Sequence, residues 1–117
     1  MTPKDYRDYI QDILDAISDV DDFIGTMRFE DFLKDKKTVN AVLKSIEIMG
    51  EASKRIPQNL RDKYPAVPWK RMAGVRDKLI HEYSGVDLEI VWKLIKPELT
   101  LVQPEIIKVM GDLNKGL

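Results

Sequence analysis

The stretch from Pro68 to Tyr83, "PWKRMAGVRDKLIHEY", has the apolar spacing of one face of an α-helix. Proline is favoured in the first turn of a helix, so Pro68 marks the start. At about 100° per residue, the apolar side chains of this stretch share one arc of roughly 140°; they are Trp69, Met72, Val75, Leu79, Ile80 and Tyr83. The stretch therefore predicts a helix that packs this arc against the core of a helical bundle.

The first half of the chain has the same helical periodicity, and no segment alternates at the period of a strand. Thr2 and Pro3 form a favourable opening for a first helix, which we expect to end near Gly25. A short helical piece around "FEDFLKD" is predicted to follow. The apolar stripe of the first helix comprises Tyr6, Ile10, Ile13, Ile17, Val20 and Ile24.

The second half continues this pattern. A long helix must stop before Pro57, and its apolar stripe comprises Val39, Val42, Ile46, Met49 and Ile56. The proline-rich "PQNLRDKYPAVP" is predicted to be a loop or a broken turn. Asp87 is placed to cap the helix "LEIVWKLIK", after which Pro97 and Pro104 each begin a fresh helical stretch or kink a continuing one. We therefore predict an all-α fold: a single domain over residues 1–117, built as an up-and-down bundle of four or five helices.

Composition excludes several kinds of site. The 117 residues include no cysteine and one histidine, which rules out disulfides, thiolate nucleophiles and a multi-histidine metal site within one chain. The net charge of −1 argues against affinity built on broad phosphate neutralisation, although a local basic patch could still bind a strand. The amino terminus lacks the apolar core of a signal peptide and no stretch is long enough to span a bilayer, so we expect a cytoplasmic protein.

Arg76 is unusual because it falls inside the apolar arc, between Tyr83 and Trp69 on the helical wheel. A buried guanidinium costs free energy unless it is paired or reaches water. The simpler interpretation is that its long stem covers apolar surface while the charged head reaches solvent. Otherwise a carboxylate such as that of Glu51, expected to be buried on the preceding helix, is a natural partner.

His81 lies five residues after Arg76, about 140° around the helix and about 7.5 Å along its axis. It shares a face with Asp77, which could fix the tautomer of the imidazole by an i,i+4 hydrogen bond. The alternative is an ordinary solvated pair on the helix surface.

Arg76 and His81 of one helix point in different directions, so together they cannot easily hold one small group. A two-fold axis that places two such helices side by side would let each protomer supply an arginine and a histidine to a shared cleft. Arginine would then neutralise a phosphate and histidine would move protons. That pairing suits RNA transesterification, in which a 2′-hydroxyl attacks the adjacent phosphorus without a metal ion.

The eight residues Arg76 to Tyr83 fit the pattern RxxxxHxY, and the chain resembles the HepT-like branch of the HEPN (higher eukaryotes and prokaryotes nucleotide-binding) family. The resemblance extends to "SIEIMGEASKRIP", "PWKRMAGVRDKLIHEY" and "VDLEIVWKLIKPEL", and so covers nearly the full length. It implies a helical-bundle homodimer that dimerises through the motif helix and acts as a metal-independent endoribonuclease toxin without a cofactor. In that family the motif arginine and histidine are catalytic, which points to Arg76 and His81, with Asp77 in support.

The resemblance also implies a partner, because HepT-like toxins are paired with a minimal nucleotidyltransferase antitoxin. In that family the antitoxin transfers AMP to the motif tyrosine, which corresponds to Tyr83 here. The added bulk and negative charge beside Arg76 would block RNA entry. Tyr83 could equally be a core tyrosine with its hydroxyl at the rim, and Glu51 either pairs with Arg76 or stabilises the bundle.

Two other functions are compatible with these residues. One is a non-catalytic nucleotide- or RNA-binding partner subunit of a nucleotidyltransferase, and the other is a purely structural dimer. The presence of Arg76, His81 and Tyr83 together favours the enzyme, since a binding module that has lost catalysis would be expected to lose one of them. The RNA substrate, its cleavage site and any assembly beyond the dimer are not encoded in a visible motif.

Overall fold

Seven α-helices follow one another in the computed structural model, which describes residues 5–81 and 87–116 and, for residues 76–81, the backbone alone. They are α1 (Tyr6–Ile24), α2 (Phe29–Lys34), α3 (Lys36–Lys54), α4 (Gln58–Arg61), α5 (Trp69–His81), α6 (Leu88–Lys93) and α7 (Leu99–Asn114), and a π-helical turn (Leu94–Glu98) joins α6 to α7. The described ranges contain no strand. The all-α bundle predicted from the sequence is confirmed, with more and shorter helices than expected.

The helix α3 lies at the centre of the bundle, where it packs against both α1 and α5, while α7 packs against α1. The predicted stripe of α3 is buried, from Val39 and Val42 through Ile46 and Met49 to Ile56 just beyond the helix. The stripe of α1 is buried from Ile10 onward. Burial of these apolar side chains is the main favourable term in the stability of the fold.

The start of α1 differs from the prediction. The helix begins at Tyr6 because Asp5 has an extended backbone and its carboxylate accepts a 2.9 Å hydrogen bond from the backbone N–H of Arg7. Thr2 and Pro3 lie outside the described residues, and Tyr6 is 44% exposed because it precedes the buried part of the stripe. The predicted end is confirmed, since Gly25 closes the helix with a φ of +53°.

The segment "PQNLRDKYPAVP" contains a helix that the sequence did not predict, the single-turn α4. The side chain of Arg61 holds it against the end of α3, donating hydrogen bonds to the backbone carbonyls of Ile56 (2.9 Å) and Ser53 (2.7 Å). These carbonyls belong to the last turn of α3 and the residues just after it, where backbone acceptors lack helical partners. These side-chain contacts across five and eight residues, which helix propensities do not register, therefore stabilise α4.

The two prolines of the last segment do not start separate helices. Proline lacks the backbone N–H and its ring collides with the carbonyl four residues earlier. At Pro97 the backbone widens into the π-helical turn, in which the N–H of Leu99 bonds to the carbonyl of Leu94. Pro104 lies within α7, which continues to Asn114.

Asp87 caps α6 as predicted, because its carboxylate accepts hydrogen bonds from the backbone N–H groups of Glu89 (2.9 Å) and Ile90 (3.4 Å). We expect Asp87→Ala to lower the free energy of unfolding by about 1 kcal/mol, and Asp87→Asn to lower it less because asparagine also caps. Urea denaturation of the three proteins measures both effects. An alanine variant as stable as the wild type would contradict the assigned cap.

Candidate functional site

The helix α5 carries most of the predicted site. Its backbone is helical from Trp69 to His81, so Arg76, Asp77 and His81 lie on one continuous helix, as the sequence predicted. The side chains of these three residues lie outside the described part of the chain, and so does Tyr83 entirely. Their assigned roles therefore remain predictions. The described backbone shows which side of α5 each of these positions occupies.

The observed exposure of the first two turns of α5 fixes which side of the helix faces the bundle. Trp69 and Met72 are buried, at 4% and 1% exposure, and Val75 packs against the same core. Position 76 follows Trp69 by seven residues and Met72 by four, which places it within about 40° of both around the helix axis. The backbone position of residue 76 is thus on the bundle-facing stripe, as the helical wheel predicted.

Position 81 lies on the other side of the helix. It follows Lys70 by eleven residues, about 20° away around the axis and about 16 Å along it. Lys70 is exposed to solvent. Positions 76 and 81 of one helix therefore lie on different faces, and this supports the inference that one copy of α5 cannot bring both residues to the same small group.

The amino-terminal end of α5 is held by three side-chain contacts. The indole N–H of Trp69 donates to the carbonyl of Tyr64 (3.2 Å), and the Tyr64 hydroxyl donates to the Asp112 carboxylate (2.8 Å). Burial, reinforced by this hydrogen bond, raises the pKa of Tyr64. Arg71 also forms a 2.6 Å ion pair with Glu98. These contacts tie the start of the motif helix to α7 and to the π-helical turn.

Glu51 is not the buried carboxylate that the sequence predicted. Its side chain is 43% exposed and accepts hydrogen bonds from the guanidinium of Arg55 at 2.9 and 3.2 Å, one helical turn along α3. It lines a cavity of about 450 Å³ with Tyr9, Asp12 and Ile48. The reason is geometric: Glu51 lies beside, not on, the buried stripe of α3. Its pairing with Arg76 remains a prediction.

The structure contains a cleft beside α5 that the sequence did not predict. It has a volume of about 950 Å³ and is formed by α4, the following connection and the first residues of α5; its charged lining residues are Arg61, Asp62, Lys70 and Arg71. We call it the basic cleft, because three of its four charged side chains are cationic. The net charge of the whole chain, −1, conceals this local excess.

No group of three or more histidine, aspartate or glutamate side chains suited to a metal ion occurs among the described residues. Nor is any helix in those residues long and apolar enough to cross a membrane.

A helical bundle in which a helix packed against the central α3 carries RxxxxH is of the HEPN type. The chain belongs to the HepT-like ribonuclease family, whose model matches residues 13–109.

Two relatives show how far the similarity extends. The chain is 45% identical over 114 residues to "Putative RNase MJ0127" of Methanocaldococcus jannaschii, an alignment that covers 97% of this chain and 94% of the relative. It is 47% identical over 96 residues to "Probable ribonuclease HepT" of Thermococcus cleftensis, with 82% and 87% coverage. No solved structure matches the chain with significant similarity.

Proposed function

We propose that this protein is the toxin of a toxin–antitoxin pair and acts as a metal-independent endoribonuclease. The observation that carries the proposal is the position of RxxxxH on α5. Residue 76 lies on the bundle-facing stripe, and residue 81 lies on the side of the helix that carries the exposed Lys70. Family membership and the ribonuclease names of its relatives support the reaction class. The proposed substrate is RNA, with tRNA and mRNA as the two candidate classes.

The proposed reaction is a transesterification. The 2′-oxygen of one nucleotide forms a bond to the adjacent phosphorus, the bond to the 5′-oxygen of the next nucleotide breaks, and the products are a 2′,3′-cyclic phosphate and a 5′-hydroxyl. Arg76 would stabilise the additional negative charge on the phosphate oxygens. His81 would move a proton, either from the attacking 2′-hydroxyl or to the departing 5′-oxygen.

The site is proposed to form across a homodimer. Because positions 76 and 81 lie about 140° apart on one helix, Arg76 of one protomer would act with His81 of the other in a cleft on the two-fold axis. Asp77 lies four residues before His81 and would orient the imidazole. The experiment that tests the proposed activity is RNA cleavage by the purified protein in EDTA, compared with His81→Ala.

The proposed partner is a minimal nucleotidyltransferase antitoxin, which would transfer AMP to the hydroxyl of Tyr83. The adduct would place a negatively charged phosphate near Arg76 and occlude the RNA path. When the two proteins are expressed together, we expect the intact mass of this chain to increase by one AMP unit. Tyr83→Phe should lack the increment, because phenylalanine has no acceptor oxygen.

Tyr64 provides a matched control for this mass measurement, since its hydroxyl is already bonded to Asp112 and its side chain is buried. Tyr64→Phe should retain the increment in full. An increment that persists in Tyr83→Phe would contradict the assigned acceptor.

A non-catalytic RNA- or nucleotide-binding subunit of a nucleotidyltransferase is the second candidate. It predicts a tight complex with the partner and ligand binding, but neither RNA cleavage nor growth arrest on expression.

A further inference from the structure

Charge is strongly segregated along this nearly neutral chain. The α1 segment, Tyr6–Ile24, contains six aspartates and one arginine, a net charge of −5, whereas residues 54–71 contain six lysines and arginines and one aspartate, a net charge of +5. The aspartates of α1 are all solvent-exposed. The exposed face of α1 therefore repels a polyanion, and the segment that leads into α5 attracts it.

The basic cleft lies within this positive segment. The guanidinium of Arg61 is partly committed to backbone carbonyls, and Arg71 is paired with Glu98. Asp62 accepts a hydrogen bond from Gln58 (2.8 Å) at the edge of the cleft. Lys70 is exposed, and among the described residues it makes no ion pair, so its ammonium is the cleft cation most available to a ligand.

The position of Lys70 connects the cleft to the proposed chemistry. Lys70 is the second residue of α5, and it lies on the same side of that helix as position 81, about 16 Å along the axis. A strand that contacts Lys70 and continues along this side of α5 passes position 81 within a few nucleotides. The cleft is open and lined mainly by cationic and apolar groups, which suits the backbone of a strand better than recognition of particular bases.

We infer that the basic cleft binds the phosphate backbone of the RNA strand on one side of the scissile bond, with Lys70 as its principal phosphate contact. This inference rests on the proposed ribonuclease function and adds a location and a chemistry for substrate binding outside RxxxxH. Lys70 acts as a positioning residue, because about 16 Å of helix separates it from the position of the catalytic histidine.

The test measures RNA affinity in a protein that does not cleave, so that binding is read independently of chemistry. A fluorescent single-stranded RNA is titrated with His81→Ala protein that carries Lys70→Glu or Lys108→Glu in addition. Lys108 is an exposed lysine of α7, so the two variants have the same net charge. Glutamate is well tolerated in the first turn of a helix, so Lys70→Glu is expected to fold.

We expect Lys70→Glu to weaken RNA binding by about tenfold near 0.1 M salt and to reduce the slope of log K against log[salt] by about 0.7 or more. Lys108→Glu should leave both quantities close to those of His81→Ala alone. In the cleaving protein, Lys70→Glu should raise KM with little change in kcat, which a purely structural role would not produce.

Equal affinities and salt slopes for the two variants would overturn the inference. So would a Lys70→Glu variant that binds RNA normally but no longer binds a nucleotidyltransferase partner, since the cleft would then be a protein interface. Failure of the wild-type protein to cleave RNA would instead count against the proposed function and is seen in a separate assay.

Discussion

His81→Ala is expected to lower kcat for RNA cleavage by about 10²- to 10⁴-fold, which is the contribution typical of a positioned acid or base. No other histidine in the chain can replace it. KM should change little, because the proposed role of His81 is in proton transfer in the transition state and the proposed cationic phosphate contacts are unaltered. Cleavage of a labelled RNA in EDTA, followed by analysis of the new ends, measures the effect.

Two controls make this result interpretable. Lys108→Ala removes an exposed side chain far along the sequence from α5 and should cleave at the wild-type rate. Thermal unfolding should show that His81→Ala is folded, since position 81 lies at the carboxyl end of α5 and on the opposite side of the helix from Met72. Cleavage by His81→Ala at an undiminished rate would exclude His81 from the chemistry.

Helices with a clear apolar stripe were predictable from the sequence. The stripe of α3 and the burial of Trp69 and Met72 on α5 follow from residue spacing alone. Apolar side chains that repeat at the helical period form one face of the helix, and this face packs against the core. The caps at Gly25 and Asp87 were also predictable, since they depend on local backbone chemistry.

Features for which residue spacing allows more than one local structure were not predictable. The helix α4 is held by the bonds from Arg61 to the end of α3, and α1 begins at Tyr6 after the Asp5 cap, although Thr2 and Pro3 also form a plausible start. The missing N–H of Pro97 is compatible with a new helix or with a distortion of a continuing one, and the chain forms the π-helical turn. In each case the sequence allows several local structures, and a particular hydrogen bond distinguishes the one that the chain adopts.

Some features of the candidate site were likewise predictable from the sequence, and others were not. The placement of residue 76 on the bundle-facing stripe followed from the wheel, whereas the exposure of Glu51 and its bond to Arg55 required the structure. The basic cleft was missed because net charge averages over the whole chain, and charge counted over segments would have located it.

The central claim is that Arg76 and His81 act across a dimer axis, and mixed dimers test it most directly. One heterodimer pairs an Arg76→Ala chain with a His81→Ala chain, so its intact arginine and histidine are on different protomers. The other pairs a wild-type chain with an Arg76→Ala/His81→Ala chain, so both intact residues are on one protomer. Each heterodimer is purified through two different affinity tags, and its rate of RNA cleavage is measured in EDTA.

Each heterodimer contains one intact Arg76 and one intact His81. The two heterodimers differ only in whether these residues are on the same protomer. If the sites are shared between protomers, the first heterodimer keeps one complete site out of two and should cleave at about half the wild-type rate. The second has no complete site and should show only background cleavage. The opposite result, an inactive first heterodimer and an active second one, would show that each chain carries its own site and would contradict this account.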